Sequence, residues 1–193
     1  MATMTEIRWH GRGGQGVKTG ALLFGEAILG AGKYMQAFPE FGPERRGAPV
    51  QAFNRISDEP ITLHCGVAHP QVVIVLDPTL LGTVDVTEGL APDGTVIINT
   101  SRRPEEIRPE LSLAPEQKVC TLDASRIARE AIGRDIPNTP MVGALAAVTQ
   151  LVDFEILLED TERRLGHKFR HRPEVVQGNL EAIKRGYQEV QKG

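Results

Sequence analysis

The chain has 193 residues, is 40% apolar and carries 22 Lys and Arg against 25 Asp and Glu, a formal charge of −3. That supports one domain, 1–193, with its own core, and it excludes the basic balance of a nucleic-acid or acidic-membrane binder. No run approaches the roughly 20 apolar residues of a membrane span, and no basic-then-apolar leader follows Met1, so the expected compartment is the cytoplasm.

Glu6 to His10 reads as a first strand. The glycine-rich stretch Gly11-Arg12-Gly13-Gly14-Gln15-Gly16 follows, and Val17 to Ala31 then reads as a well-buried helix. Gly16, Gly20 and Gly25 would let that helix lie close to a sheet, and Gly30 and Gly32 are stop signals. Lys33 to Phe38 is a second strand, followed by the turn-rich loop "PEFGPERRG", 39–47. Pro49 to Ile56 and Ile61 to His64 read as third and fourth strands, joined through "SDEP" as a hairpin. The link from Phe38 to Pro49 is too short for a crossover helix, so these strands are not parallel neighbours and the sheet must be mixed.

The second half has a β-α rhythm. Val72 to Leu76 is a continuous apolar run, the mark of a strand buried on both faces, and Asp77-Pro78 ends it. Thr95 to Ile98 and Lys118 to Leu122 repeat the pattern. Asp123 can cap a helix to Ile132, with Gly133 after it. Thr139-Pro140 reads as an N-cap and first helical residue, opening a helix to about Phe154. From Pro173, the spacing of Val176, Leu180, Ile183, Tyr187 and Val190 predicts an amphipathic helix. The expected fold is α/β: a single Rossmann-like three-layer domain with a mixed, mostly parallel sheet.

Gly11, Gly13 and Gly16 satisfy G-x-G-x-x-G between a strand and a helix. There, glycines permit a tight turn and close approach of a ligand, and the helix N-terminus favours an anion such as phosphate. The alternative is a tight turn with no ligand. A nicotinamide dinucleotide site wants an acid at the end of the second strand, but this strand ends Gln36-Ala37-Phe38. A P-loop wants Lys directly after the last glycine, but Val17 precedes Lys18.

"GRGGQG" together with "FGPERRGAPV" resembles the gamma subunit of the 2-oxoacid:ferredoxin oxidoreductases, in the pyruvate and 2-ketoisovalerate branch, and the similarity covers nearly the whole chain. The resemblance implies a multi-subunit enzyme that decarboxylates a 2-oxoacid on thiamine diphosphate, passes electrons through iron–sulfur clusters to ferredoxin, and releases the acyl group on coenzyme A. It implies alpha, beta and delta-type partners. The chain has two cysteines, too few for a cluster, and lacks a Gly-Asp-Gly thiamine motif, since Asp93-Gly94 has no preceding glycine. Thiamine diphosphate and clusters are thus expected on partner subunits, and coenzyme A is the ligand expected here. Gly11, Gly13, Gly14 and Gly16 would present N–H groups, while Arg12 and Gln15 would add side-chain contacts or cap the loop. Arg45 and Arg46, Arg46 preferred, would bind anion beside Gly47; a solvated loop or an inter-subunit salt bridge is the competing role. A stand-alone nucleotide- or coenzyme-binding module is the alternative function.

Other candidates carry less. Thr100, Ser101, Arg102 and Arg103 follow a strand, where α/β sheets place ligands, but read more readily as a surface loop. Asn138 and Thr139 sit at a helix start, where capping accounts for Thr139. His10 reads as a packed strand-end histidine. Cys65 and Cys120 read as buried structural thiols. His64, Cys65 and His69 lack a fourth ligand, so no metal is expected. "ERRLGHKFRHRPE" is locally basic, as a solvated face or a subunit contact.

Overall fold

The computed structural model describes residues 4–40 and 47–193. Its strands are β1 (Thr5–Arg12), β2 (Tyr34–Pro39), β3 (Pro49–Ser57), β4 (Val72–Val75), β5 (Thr95–Asn99), β6 (Lys118–Leu122) and β7 (Gln191–Lys192). Its α-helices are α1 (Val17–Gly30), α2 (Pro104–Ile107), α3 (Ala124–Ile132), α4 (Asn138–Thr149), α5 (Phe154–Lys168) and α6 (Pro173–Glu189). One seven-stranded sheet runs β2-β3-β1-β4-β5-β6-β7. β1, β4, β5 and β6 are parallel neighbours; β3 is antiparallel to both β1 and β2, and β7 is antiparallel to β6. The mixed sheet required by the short Phe38–Pro49 link is therefore present.

The longer helices α1 and α3 to α6 share one core with Ile7, Trp9, Ile74, Leu76 and Ile97. On the opposite face Val73, Val75, Val96 and Ile98 pack under Leu80, Val86 and Ile107. That third layer is thin, built from α2, two 3-10 turns and connecting loops. Right-handed crossovers account for the division. The chain leaves β1 toward one side of the sheet, through α1 to β2 and β3. It then proceeds to the other side through β4, β5 and β6. The direction of winding reverses between β1 and β4, and open α/β sheets place ligands at the carboxyl ends of strands at such a reversal.

Several expectations are corrected. Ile61–His64 is not a strand. Its segment is tied by side chains instead, with Leu63 O accepting from Gln36 Nε2 at 3.1 Å and Gly66 O accepting from the buried Arg55 at 2.9 Å. The helix after Pro137 begins at Asn138, and Thr139 is not its cap: its hydroxyl donates to Asn179 Oδ1 of α6 at 2.9 Å. That helix stops at Thr149, where Gln150 turns left-handed at φ 55°. A separate helix, α5, follows; Asp153 caps it by accepting from the N–H groups of Glu155 and Ile156. Asp160 on α5 is buried and accepts from Arg163 and Arg164, and Arg164 also reaches Glu26 of α1 at 3.2 Å. Cys120 is buried as expected, but Cys65 is exposed. Among the described residues no helix is long and apolar enough to cross a membrane.

Candidate functional site

The glycine loop leaves the carboxyl end of β1 at the winding reversal. Arg12 closes the strand, and the turn 13–16 swings the chain into α1 with Gly14 at φ 101° and Gly16 at φ 79°. Gln15 organises the turn from inside. Its Oε1 accepts from Arg12 N at 2.7 Å, its own N–H donates to Arg12 O at 3.1 Å, and its Nε2 donates to Asp77 Oδ2 at 2.8 Å. Gly13 N–H donates to Ala48 O at 3.1 Å.

Asp77 stands just after β4, across the reversal. Arg12 Nε lies 3.2 Å from Asp77 Oδ2 and donates to Thr79 Oγ1, and a further guanidinium nitrogen donates to Gly47 O at 3.1 Å. Burial opposes ionisation of Asp77. The hydrogen bonds from Thr79 and Gln15 and the Arg12 charge outweigh it, so the carboxyl sits below its usual range. This side of the loop is thus saturated by internal contacts, which Arg12, Gln15 and Gly47 serve. Arg45 and Arg46 lie outside the described residues.

The other side of the loop is open. Among the described residues, the N–H groups of Gly14 and Gly16 donate no hydrogen bond. Both residues line a groove of about 390 Å³ whose walls come from α1, the α3–α4 link, and the end of α5 with the start of α6. Leu23, Ile136 and Phe169 give it apolar surface; Arg134, Lys168 and Arg172 give it cations. Asn138 packs so closely that a Cβ on Gly16 would lie 2.7 Å from its Nδ2. Asn138 is 7% exposed, and its Oδ1 lies 3.3 Å from the Thr139 hydroxyl, whose proton goes to Asn179.

The structure thus brings Asn138 and Thr139 to the glycine loop, which the sequence marks only weakly. Arg134, Phe169 and Asn179 join them with no local motif to single them out; the one signal in the sequence is the basic run 163–172, which reads as a solvated face or a subunit contact. Thr100–Arg103 is engaged elsewhere: Arg102 pairs with Glu110 at 2.7 Å, and Arg103 N–H donates to Glu106 at 2.7 Å. His10 is 3% exposed; burial and then the Arg8 charge hold its pKa down to about 3, so the imidazole is neutral at physiological pH.

A family model described as pyruvate ferredoxin/flavodoxin oxidoreductase matches residues 6–189. The chain is 48% identical over 185 residues to pyruvate synthase subunit PorC of Thermotoga maritima, covering 96% of this chain and 94% of that one. It is 53% identical over 152 residues to the pyruvate/ketoisovalerate oxidoreductases common subunit gamma of Pyrococcus abyssi, covering 79% and 82%. Its fold matches the crystal structure of the Thermotoga maritima pyruvate oxidoreductase subunit PORC with a TM-score of 0.85 over 98% of both chains.

Proposed function

The chain belongs to the pyruvate ferredoxin/flavodoxin oxidoreductase family, and from that premise we propose that it is the gamma-type subunit of a thiamine-dependent 2-oxoacid:ferredoxin oxidoreductase. In this reading the assembled cytoplasmic enzyme converts pyruvate or a related 2-oxoacid to its acyl-CoA. Alpha, beta and delta-type subunits are the partners, and ferredoxin takes the electrons. This chain contributes to holding coenzyme A and closing the active site.

The residues suit that division of labour. Cys65 and Cys120 are two thiols where an iron–sulfur cluster takes four, and one of them is buried. Clusters and thiamine diphosphate, which supply the redox and carbanion chemistry, are therefore assigned to the partners.

The observation that carries the coenzyme A role is the pair of undonated N–H groups on Gly14 and Gly16 at the N-terminus of α1. Backbone donors and the helix dipole together stabilise an anion, and coenzyme A brings a diphosphate. The Asp77 carboxylate is held on the other side of the loop by Gln15 and paired with Arg12, which offsets its charge. The test is native purification of the tagged chain, with mass spectrometry, an absorption spectrum, and dye reduction driven by different 2-oxoacids. Co-purification with larger chains, iron and thiamine diphosphate, and activity dependent on coenzyme A, is the expected outcome. A colourless chain without partners would overturn the reading.

A further inference from the structure

We propose that the free edge of β2 pairs with the same edge of a second copy of this chain, antiparallel about a two-fold axis at Gln36, so that the two seven-stranded sheets join into one. This pairing does not depend on the coenzyme A reading above.

The two edges of the sheet are not alike. β6 is covered by β7 of the same chain, whereas β2 ends the sheet on the other side. Natural edge strands are guarded by charges, bulges or cover. Tyr34-Met35-Gln36-Ala37-Phe38-Pro39 carries no charge, and its ladder with β3 runs without a bulge. On the continuation of that ladder Glu40 N–H donates to Gln51 O at 3.1 Å. Bonded pairs alternate along antiparallel strands, so Tyr34, Gln36 and Phe38 turn their backbone groups to β3, and Met35 and Ala37 turn theirs outward. Among the described residues the N–H groups of Met35 and Ala37 donate to nothing.

Apolar surface borders the same edge on both faces. Leu22, Gly25 and Leu29 share one stripe of α1, and a Cβ on Gly25 would meet Met35 of β2, so the two exposed leucines stand on the β2 side of that helix. On the other face Tyr34 is exposed, as is Leu63, whose carbonyl accepts from Gln36. Four of the five exposed large apolar residues among those described thus border β2, with Ile156 the exception. Exposed apolar side chains gathered in one place mark an interaction surface.

The strand is complementary to itself. With Gln36 set opposite Gln36, Met35 of each copy faces Ala37 of the other, and each satisfies the other's outward N–H and C=O. The same register sets Tyr34 opposite Phe38, as a close non-hydrogen-bonded pair that favours aromatic contact. A groove of about 420 Å³ lined by Gln36, Phe38 and Leu63 leaves room for the incoming Tyr34 ring. Sliding by two residues would put Met35 against Pro39, which has no N–H, or Ala37 against Lys33, whose N–H already donates to Ile28 O at 3.3 Å. The strand brings no like charges together, and a two-fold contact closes after one partner.

The experiment measures the mass of the full chain by sedimentation equilibrium and cross-links it through single cysteines. The wild type should sediment as a dimer at micromolar concentration. Ala37→Pro removes an outward N–H without touching the ladder to β3, and should raise the dimer Kd at least about ten-fold with an unchanged circular dichroism spectrum. Cysteines placed in a Cys65→Ser background read the register, since Cys120 is buried. Under oxidised glutathione Gln36→Cys should give a disulfide-linked dimer, because Cα atoms paired in this way come about 4.5 Å apart, and Tyr34→Cys should not. A dimer unmoved by Ala37→Pro, or one that links at Tyr34→Cys and not at Gln36→Cys, overturns the pairing. Where the isolated chain is monomeric, the Gln36→Cys link in the assembled enzyme decides: its presence supports the pairing and its absence overturns it. Protection of the Met35 and Ala37 amides from hydrogen exchange on assembly, without that link, would assign the edge to a different subunit.

Discussion

Trp9 Nε1 donates to Asn54 Oδ1 at 2.8 Å, and the same amide donates through Nδ2 to Ala21 O at 2.8 Å. Both side chains are fully buried. One asparagine thereby ties β1, β3 and α1 together beneath the glycine loop, satisfying an indole N–H that has no route to water. Asn54→Ala strands that donor and opens space, and should cost about 2–4 kcal/mol in urea denaturation. A loss below about 1 kcal/mol would mean water reaches the indole.

The α4–α6 crossing brings backbone against backbone. A Cβ on Gly143 would meet Ile183 O, and one on Gly186 would meet Pro140 O, both well inside contact distance. Carbonyls in helices cannot swing away as a side-chain tip can. Gly143→Ala or Gly186→Ala should cost about 3 kcal/mol, at the upper end for overpacking. Near-wild-type thermal stability in either variant would show that the helices can separate freely.

The two left-handed loop glycines should respond unequally. At Gly14 a methyl group would find nothing within 4 Å, so Gly14→Ala costs only backbone strain, about 1–2 kcal/mol. Gly16→Ala adds a collision with Asn138 and should cost about 3 kcal/mol. Equal unfolding midpoints for the two variants would contradict the packing of Asn138 on the loop.

His10 makes stability depend on pH. With its folded pKa lowered to about 3, it is neutral in both states above its ordinary 6.5. Between those values the unfolded chain takes up a proton that the folded chain refuses. Stability is therefore lost as pH falls from 6.5 toward 3, by up to about 1.4 kcal/mol per pH unit. The stability advantage of wild type over His10→Gln should shrink by about 2 kcal/mol between pH 7 and pH 5. Parallel pH profiles for the two proteins would remove His10 as the cause.

Asp77 holds the loop from across the winding reversal, through Gln15 and Arg12. Asp77→Ala should speed amide exchange at Arg12 and Gln15 by about ten-fold, as a contact worth roughly 1.4 kcal/mol is lost. Unchanged exchange at both amides would place the loop's order in its own turn.

Much of the fold is legible along the chain because short-range patterns express it. The short β-branched run Val72–Val75, ended by Asp77-Pro78, reads as a doubly buried strand and is one, and Asp123 with Gly133 brackets α3 by local hydrogen bonding and a left-handed turn. The α5 helix is obscured because its exposed face is dense in charge and only Leu157 and Leu158 of its apolar residues are buried. Ile61–His64 alternates like a strand but finds no neighbour with which to pair. Thr139 resembles a cap, but its partner is Asn179, forty residues away, and no local pattern encodes that bond.

The same distinction governs the site. By itself the sequence determined a strand, a glycine turn and a helix in immediate succession, because backbone freedom at Gly14 and Gly16 is a property of those residues. Which face of that turn remains open was decided only by tertiary structure. Asp77, from the neighbouring parallel strand, consumes Arg12 and Gln15 on one side, while Asn138 and the α5–α6 turn form a groove on the other. Donor capacity is set by which groups are already paired, and pairing between distant segments exists only once the chain has folded.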